Sequence, residues 1–229
     1  MSEGKHPIHI KIRAINKRNG IFLTLLGSLL IIVLLGIGQF WWHEFKIQLI
    51  FLLMASFVVW FLGFLKIKEP TYSYELTQDG LTHHHRCGRW FVNWQNIQRV
   101  GEVKPDLLGP QHRLAYIGIK LKDLQMLAQT ISPRLANRLL HEQKPLLVVA
   151  LRHGQLKMPE SVINFEPFKL NGVVYRGPLG AFLHRTQALQ QAFGYHLYLA
   201  DDTLDRDPDS FLQLLKASIK AEQSSLAGE

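Results

Sequence analysis

The sequence predicts an α+β protein in which a two-helix transmembrane hairpin precedes a cytoplasmic antiparallel sheet with additional C-terminal helices. Two observations carry this prediction. Two long apolar segments lie near the N-terminus, and a long stretch of alternating apolar and polar residues follows them. The chain has 229 residues and a formal charge of +8, and its mean hydropathy is close to zero because unlike segments average out.

The two apolar segments are residues 21–42 and 47–65, and neither contains a charged side chain. A helix rises about 1.5 Å per residue, so roughly 20 apolar residues cross a hydrocarbon core of about 30 Å. Only His43 to Lys46 separate the two segments. The spacing therefore predicts a tight antiparallel hairpin over residues 21–65, joined by a four-residue loop.

Basic residues concentrate on one side of the predicted hairpin. The basic residues of the tail (residues 1–20) and of the segment after the second span are Lys5, Lys11, Arg13, Lys17, Arg18, Lys66 and Lys68. The loop holds only Lys46. Because Lys and Arg accumulate on the cytoplasmic side of membrane proteins, both termini are predicted to be cytoplasmic in a multi-pass protein of a bacterial inner membrane. The same seven side chains are candidates for contact with anionic lipid headgroups.

The N-terminal tail has its own pattern. Ile8, Ile10 and Ile12 alternate with polar residues, which is typical of a strand. We favour a strand that pairs with an edge of the cytoplasmic sheet. An amphipathic helix at the membrane interface is also consistent with these residues, and the pattern leaves both alternatives open.

Residues after Pro70 are predicted to form a β-meander. Tyr72 to Thr77 alternates, residues 78–80 (Gln-Asp-Gly) favour a turn, and residues 87–88 (Cys-Gly) favour a second turn. A third strand is expected from Trp90 to Trp94. Two further strands are expected over residues 97–103 and 114–121, where Ile117, Ile119 and Leu121 alternate with other residues.

Helix signals dominate the rest of the chain. Ser132 followed by Pro133 predicts a helix that runs to His141, and Asp207 followed by Pro208 predicts the last helix. Asp123 is expected to cap a short helix, and another helix is expected from Pro178 to just before Gly194. The apolar run Leu146 to Leu151, which contains two valines, is interpreted as a short buried strand, and residues 195–200 as another strand.

A resemblance to a known group of proteins rests on specific positions. The pattern consists of Tyr74, Leu76, Thr77, Asp79, Gly80 and Leu81, followed by Trp94, Ile97 and Val100. Together with two N-terminal spans, this resembles uncharacterised bacterial inner-membrane proteins with a pleckstrin-homology-like (PH-like) cytoplasmic domain. The resemblance implies a PH-like antiparallel barrel over residues 70–158, with an α/β extension over residues 159–229 packed on it. It implies a role in binding and supplies no catalytic residues.

Three adjacent histidines raise the question of a metal site. In a strand, His83, His85 and Cys87 would project from one face, and imidazole and thiolate are good ligands for zinc or copper. Along one strand, however, the three fan out over about 13 Å, too far to meet one ion. A third ligand would have to come from elsewhere, such as His112 or His153. We therefore interpret His83, His85 and Cys87 as solvent-facing or half-buried strand residues beside a turn. We expect no metal and no cofactor.

The sequence predicts a membrane-anchored, non-enzymatic binding or scaffold module that recognises a protein, a peptide or a lipid headgroup. A strand edge or the loop from Lys104 to Arg113 would form the contact surface. The alternatives are a metal-dependent activity that uses His83, His85 and Cys87, and an anionic-lipid sensor. No catalytic motif and no basic, aromatic-interleaved stripe for nucleic acid occurs. The expected partners are the membrane and either another protein or a second copy of the chain. The small residues Gly27, Gly36, Ala55 and Ser56 allow close helix packing, either within one chain or between two chains.

Overall fold

A computed structural model describes residues 9–13, 20–67, 72–104, 113–156 and 163–227. The chain forms two compact units. One unit comprises residues 14–71, and the other combines residues 1–13 with residues 72–229. We call them the helical unit and the sheet unit, and the fold of the whole chain is α+β with antiparallel sheets.

The described residues of the helical unit form one α-helical segment, α1 (Gly20–Ile67). This differs from the predicted pair of helices with a separate loop, because residues 43–46 are assigned to the helix. The backbone leaves helical dihedral angles only at Trp41 (φ −119°, ψ 16°) and Phe45 (φ −121°, ψ 29°). The physical reason is that two isolated dihedral departures redirect a helix while most of its backbone stays helical. By length and hydropathy, α1 is one helix able to cross a membrane.

Close contacts inside α1 show that the segment bends back on itself. A Cβ atom built on Gly27 would lie 2.6 Å from the Cα of Trp60, and one built on Gly63 would lie 2.5 Å from the backbone nitrogen of Thr24. In a straight helix, residues 27 and 60 would be about 50 Å apart. The departures at Trp41 and Phe45 therefore let the two halves of α1 run antiparallel, with backbones in contact at glycines.

The first sheet of the sheet unit has four antiparallel strands in the order β1-β2-β3-β4. These strands are β1 (Ile10–Ile12), β2 (Tyr74–Leu76), β3 (Gly80–His85) and β4 (Gly88–Asn93). The predicted meander and both of its turns are confirmed. The preferred strand in the N-terminal tail is also confirmed, since β1 pairs with β2.

The second sheet has the order β5-β6-β9, and a separate hairpin is formed by β7 and β8. The strands are β5 (Ile97–Glu102), β6 (Tyr116–Leu121), β7 (Phe168–Leu170), β8 (Val173–Tyr175) and β9 (Leu197–Ala200). Strand β9 pairs with β6, so residues beyond 159 complete a sheet that begins before residue 158.

The described strands do not form the closed barrel that the PH-like resemblance implies. A 3₁₀ turn, Trp94–Asn96, redirects the chain after β4, and β5 then pairs with β6. The outer edge of β4 is instead occupied by the hydroxyl of Thr130, which accepts a hydrogen bond from the Phe91 amide (3.3 Å) and donates one to the Phe91 carbonyl (2.9 Å). These two bonds satisfy the backbone N–H and C=O of Phe91 at this edge without a further strand.

Five helices lie in the described part of the sheet unit. They are α2 (Gln125–Thr130), α3 (Pro133–Glu142), α4 (Lys144–Arg152), α5 (Gly177–Phe193) and α6 (Pro208–Ala227). The predicted caps are confirmed at two of them: the Ser132 side chain accepts from the Leu135 amide, and the Asp207 carboxylate accepts from the Ser210 amide. Helix α5 ends at Gly194, which has the left-handed φ of 77° that favours glycine.

The predicted strand over Leu146 to Leu151 is wrong, because these residues lie within α4. Pro145 occupies the first turn of that helix, where its missing amide costs nothing. Leu146, Leu147 and Ala150 are buried on one face, whereas Val148 is 46% exposed. A short apolar run fits either a buried strand or one face of a short helix, and here the helical spacing decides.

Two apolar cores hold the sheet unit together. The first lies between the inner faces of the two sheets and helices α3 and α6, and its fully buried members include Ile12, Leu76, Leu81, Ile117 and Phe211. The second joins Val103 and Tyr198 of the second-sheet region to α4 and α5. Since burial contributes about 25 cal/mol per Å² of apolar surface, these cores are the main stabilising contribution to the unit.

Substituting alanine for Gly27 tests the close packing within α1. We expect Gly27→Ala to destabilise the helical unit by about 1–3 kcal/mol, because the new methyl group meets the Trp60 backbone. The matched control is Gly36→Ala, which makes the same change of helix propensity where no atom lies within 4 Å. Unfolding in detergent, followed by helical circular dichroism, measures both variants. Equal effects at the two positions would show that the halves of α1 do not pack at Gly27.

Candidate functional site

The four-stranded sheet presents two chemically different faces because alternate side chains project to opposite sides. The inner face carries Ile12, Tyr74, His83 and Trp90 into the first core. The other side, here called the outer face, carries the side chains of Lys11, Glu75, Thr82, His84, Arg89 and Phe91. The polar chemistry of the sheet therefore lies on the outer face.

His83 is a core residue with its ring already engaged. Only 7% of its surface is exposed, and its Nδ1–H donates to the carbonyl oxygen of Ser73 at 3.0 Å. Its ring centroid lies 4.8 Å from that of Tyr74 and 5.4 Å from that of Trp90. Burial between two aromatic rings with a satisfied hydrogen bond is a structural role.

The predicted metal candidates share one side of the sheet but do not converge on an ion. His83 and His85 have ring centroids 6.1 Å apart, whereas Cys87 lies in the β3–β4 turn. The Cys87 amide donates to Nδ1 of His85 at 3.1 Å, and Nε2 of His85 lies 3.7 Å from Glu142. His112 falls outside the described residues. Within the residues that are described, no three His, Cys, Asp or Glu side chains are grouped to hold a metal ion.

A carboxylate held between two imidazoles links three strands on the outer face. Nε2 of His9, which precedes β1, lies 2.5 Å from one oxygen of Glu75, and Nε2 of His84 lies 2.9 Å from the other. Hydrogen bonds from His84 and then from His9 outweigh desolvation and lower the pKa of Glu75 below its usual 4.5. The arrangement fastens the short strand β1 to β2 and β3.

A groove of about 480 Å³ lies between the outer face and α2. Its lining residues are Thr82, Arg89, Phe91, Gln129 and Thr130. Strand register places Arg89 directly opposite His84, and Phe91 directly opposite Thr82. The groove thus offers a guanidinium group, hydroxyl groups, an amide and an aromatic ring. This is a set of groups suited to binding a polar or anionic ligand against an apolar surface.

The predicted contact loop is tied down at both of its described ends. Lys104 lies 2.8 Å from Glu102, and Arg113 lies 3.0 Å from Asp201. Arg113 also reaches Glu102 at 3.7 Å and Asp209 at 3.4 Å. Residues 105–112 fall outside the described part of the chain. The two basic ends of the loop are therefore already paired with carboxylates.

The predicted lipid-facing residues fall into different parts of the chain. Lys5, Lys17, Arg18 and Lys68 lie outside the described residues. Lys11 and Arg13 belong to the sheet unit, and the ammonium group of Lys11 lies 5.0 Å from the centre of the Tyr72 ring. Lys66 belongs to the helical unit.

The groove residues were missed by sequence reasoning, although part of the signal was present. Once Trp90 and Val92 are assigned to the inner face, alternation requires Arg89 and Phe91 to face outward. Gln129 and Thr130 carry no such signal. They reach the groove only because α2 packs against β4, a contact between residues about forty positions apart.

Comparison with known proteins adds the family. Residues 74–221 match the family described as "Protein of unknown function (DUF2982)". The chain belongs to this family. The DUF2982 match begins at β2 and runs into α6, so it covers β2 to β4 of the first sheet, the whole second sheet and the groove, but neither α1 nor β1. No curated protein and no solved structure matches the chain.

Replacing Glu75 with glutamine tests the hydrogen bonds from His9 and His84 that fasten β1 to β2 and β3. Because the folded-state pKa of Glu75 is lowered, its contribution to stability is present above the unfolded-state pKa near 4.5 and is lost as the pH falls below it. We expect Glu75→Gln to cost about 1 kcal/mol of unfolding free energy at neutral pH and nothing at low pH. Denaturant titrations of wild type and variant across this pH range measure the difference.

The control for this experiment is Asp79→Asn. It removes the same charge from the exposed β2–β3 turn, where no side-chain partner of Asp79 is described. If the difference in unfolding free energy between wild type and Glu75→Gln did not depend on pH, the charge of Glu75 would not be its cause.

Proposed function

We propose that this DUF2982 protein is a membrane-anchored, non-enzymatic binding module whose recognition site is the groove between the outer face and α2. The observation that carries the proposal is the groove itself. It brings the side chains of Arg89, Thr82 and Gln129 together with that of Phe91, and these groups offer hydrogen-bond donors to a ligand. The PH-like resemblance of the meander supports the same role, since the implied fold is one used for binding.

The anchor in this proposal is α1, crossing a bacterial inner membrane twice with both termini in the cytoplasm. Support comes from the high hydropathy of the segment and from its exposed apolar side chains, such as Phe40 (87%) and Ile47 (81%). The contact of Gly27 with Trp60 supports two antiparallel passes. The excess of Lys and Arg outside the turn of α1 supports the orientation.

A metal-dependent activity has weaker support. His83 uses Nδ1 for Ser73 and lies between two rings, and Nδ1 of His85 accepts the Cys87 amide. A metal at these residues would have to displace contacts that stabilise the inner face. We therefore favour binding over metal chemistry.

Labelling of single cysteines tests the proposed topology. In a Cys87→Ser background, Glu44→Cys should react with a membrane-impermeant maleimide in intact spheroplasts. Gln223→Cys in α6 should react only after the membrane is permeabilised. Both positions are exposed, so access depends on the side of the membrane rather than on burial. Labelling of Gln223→Cys in intact spheroplasts would overturn the cytoplasmic location of the sheet unit.

Site-specific photo-crosslinking tests the groove. A benzoylphenylalanine residue at exposed Gln129 should give a discrete crosslinked product in living cells. The matched control is the same residue at Gln98, an exposed glutamine on β5 that does not line the groove. The full chain must be used, since a fragment that begins at residue 70 lacks β1. Identical products at the two positions, or none at either, would count against recognition in the groove.

A further inference from the structure

Three arginines lie at the same end of the four-stranded sheet. Antiparallel register brings the end of β1, the start of β2, the end of β3 and the start of β4 together. Arg13 follows β1, Arg86 lies in the β3–β4 turn, and Arg89 follows the first residue of β4. All three side chains are exposed. We call this group the basic end of the sheet.

Several other described arginines have partners, whereas those of the basic end, like exposed Arg152 and Arg176, do not. Arg113, Arg138 and Arg206 each pair with a carboxylate, and Arg99 donates to the carbonyl of Gly194. Within the described ranges, the side chains of Arg13, Arg86 and Arg89 make no ion pair, no hydrogen bond and no contact with an aromatic ring. Their guanidinium groups are available to a ligand.

Nearby carboxylates do not neutralise the basic end. Glu75 is held by His9 and His84, and Glu142 lies 2.7 Å from Arg138 and 3.7 Å from His85. Asp79 lies in the β2–β3 turn, at the opposite end of the sheet. The local charge is therefore positive, and unscreened by acidic partners among the residues described.

Two short connections join the basic end to α1. Both connections to α1 leave from the basic end, one after Arg13 and one before Tyr72. Only six residues (14–19) and four residues (68–71) intervene, so each connection spans at most about 25 Å. The length of these connections limits how far the basic end can lie from the two ends of α1.

We propose that the basic end binds the anionic phosphate headgroups of the bilayer that anchors the protein, with Arg86 and Arg89 as the principal contacts. The inference rests on the proposed membrane anchor. Guanidinium groups form charge-assisted, bidentate hydrogen bonds with phosphate oxygens, and anionic lipid attracts each basic residue held near the surface. Lipid is favoured over nucleic acid because no series of exposed aromatic rings accompanies these arginines in the described strands.

Hydrogen exchange on the full chain in nanodiscs tests the proposal. Amides of the β3–β4 turn should exchange more slowly in phosphatidylglycerol nanodiscs than in phosphatidylcholine nanodiscs, and high salt should remove the difference. The β2–β3 turn at the opposite end of the sheet is the internal control. The double variant Arg86→Gln/Arg89→Gln should lower the binding constant for the anionic surface at least about tenfold and so abolish the protection.

The matched control variant is Arg152→Gln/Arg176→Gln, which removes two exposed arginines from other parts of the sheet unit. It should retain full protection of the turn. Circular dichroism of both double variants confirms that they are folded, as expected for exposed positions. Inorganic phosphate added to the phosphatidylcholine nanodiscs separates the two sources of the anion: protection by phosphate alone would identify a soluble-anion site and overturn binding to the bilayer.

Two further outcomes distinguish this inference from the proposed function. Failure of the chain to enter nanodiscs would overturn the anchor and, with it, this inference. Stable insertion with turn exchange that is indifferent to lipid charge, or unchanged in Arg86→Gln/Arg89→Gln, would overturn only the binding of headgroups by the basic end.

Discussion

The pairing of β1 with β2 is the constraint on which the architecture depends. Ile12 lies opposite Tyr74, although 61 residues separate them in the chain, and all of α1 lies between them. A straight helix of 48 residues would be about 72 Å long. The chain from Ile12 to Gly20 and from Ile67 to Tyr74 spans at most about 53 Å in total. The register of one three-residue strand therefore requires α1 to fold back, independently of any membrane, and the glycine contacts inside α1 agree with that requirement.

The two faces of the four-stranded sheet have different roles: the inner face packs in the core, and the outer face carries the groups of the proposed binding site. On the inner face, the polar ring of His83 bonds within the protein, to the carbonyl oxygen of Ser73. The outer face holds Glu75 between two imidazoles, and it carries Phe91 and exposed Arg89 in the lining of the groove. Because successive residues alternate between faces, His83 and His84 have unlike surroundings although they are neighbours. The three consecutive histidines therefore have three different surroundings. His83 lies in the core, His84 bonds Glu75, and His85 lies beside the β3–β4 turn.

Sequence reasoning succeeded where the signal was local. The meander turns and the caps at Ser132 and Asp207 each depend on a few consecutive residues, and all of them form as predicted. Sequence reasoning failed where contacts between residues far apart in the chain determine the structure. Helix α4 looked like a strand because a short apolar run has no distinctive period. The described strands form no closed barrel because the chain turns away after β4 and β5 pairs with β6 instead. Half of the groove was hidden for the same reason, since α2 supplies Gln129 and Thr130.

Arg89 belongs both to the groove and to the basic end, which has a thermodynamic consequence for the two proposals. One guanidinium group cannot make its full set of hydrogen bonds to a ligand in the groove and to a lipid phosphate at the same time. Binding at either place therefore weakens binding at the other by the same factor. In this arrangement, a groove ligand that engages Arg89 would loosen the contact of the basic end with the bilayer, while Arg13 and Arg86 would retain part of it. The two proposed activities would then be linked through a single side chain at the start of β4.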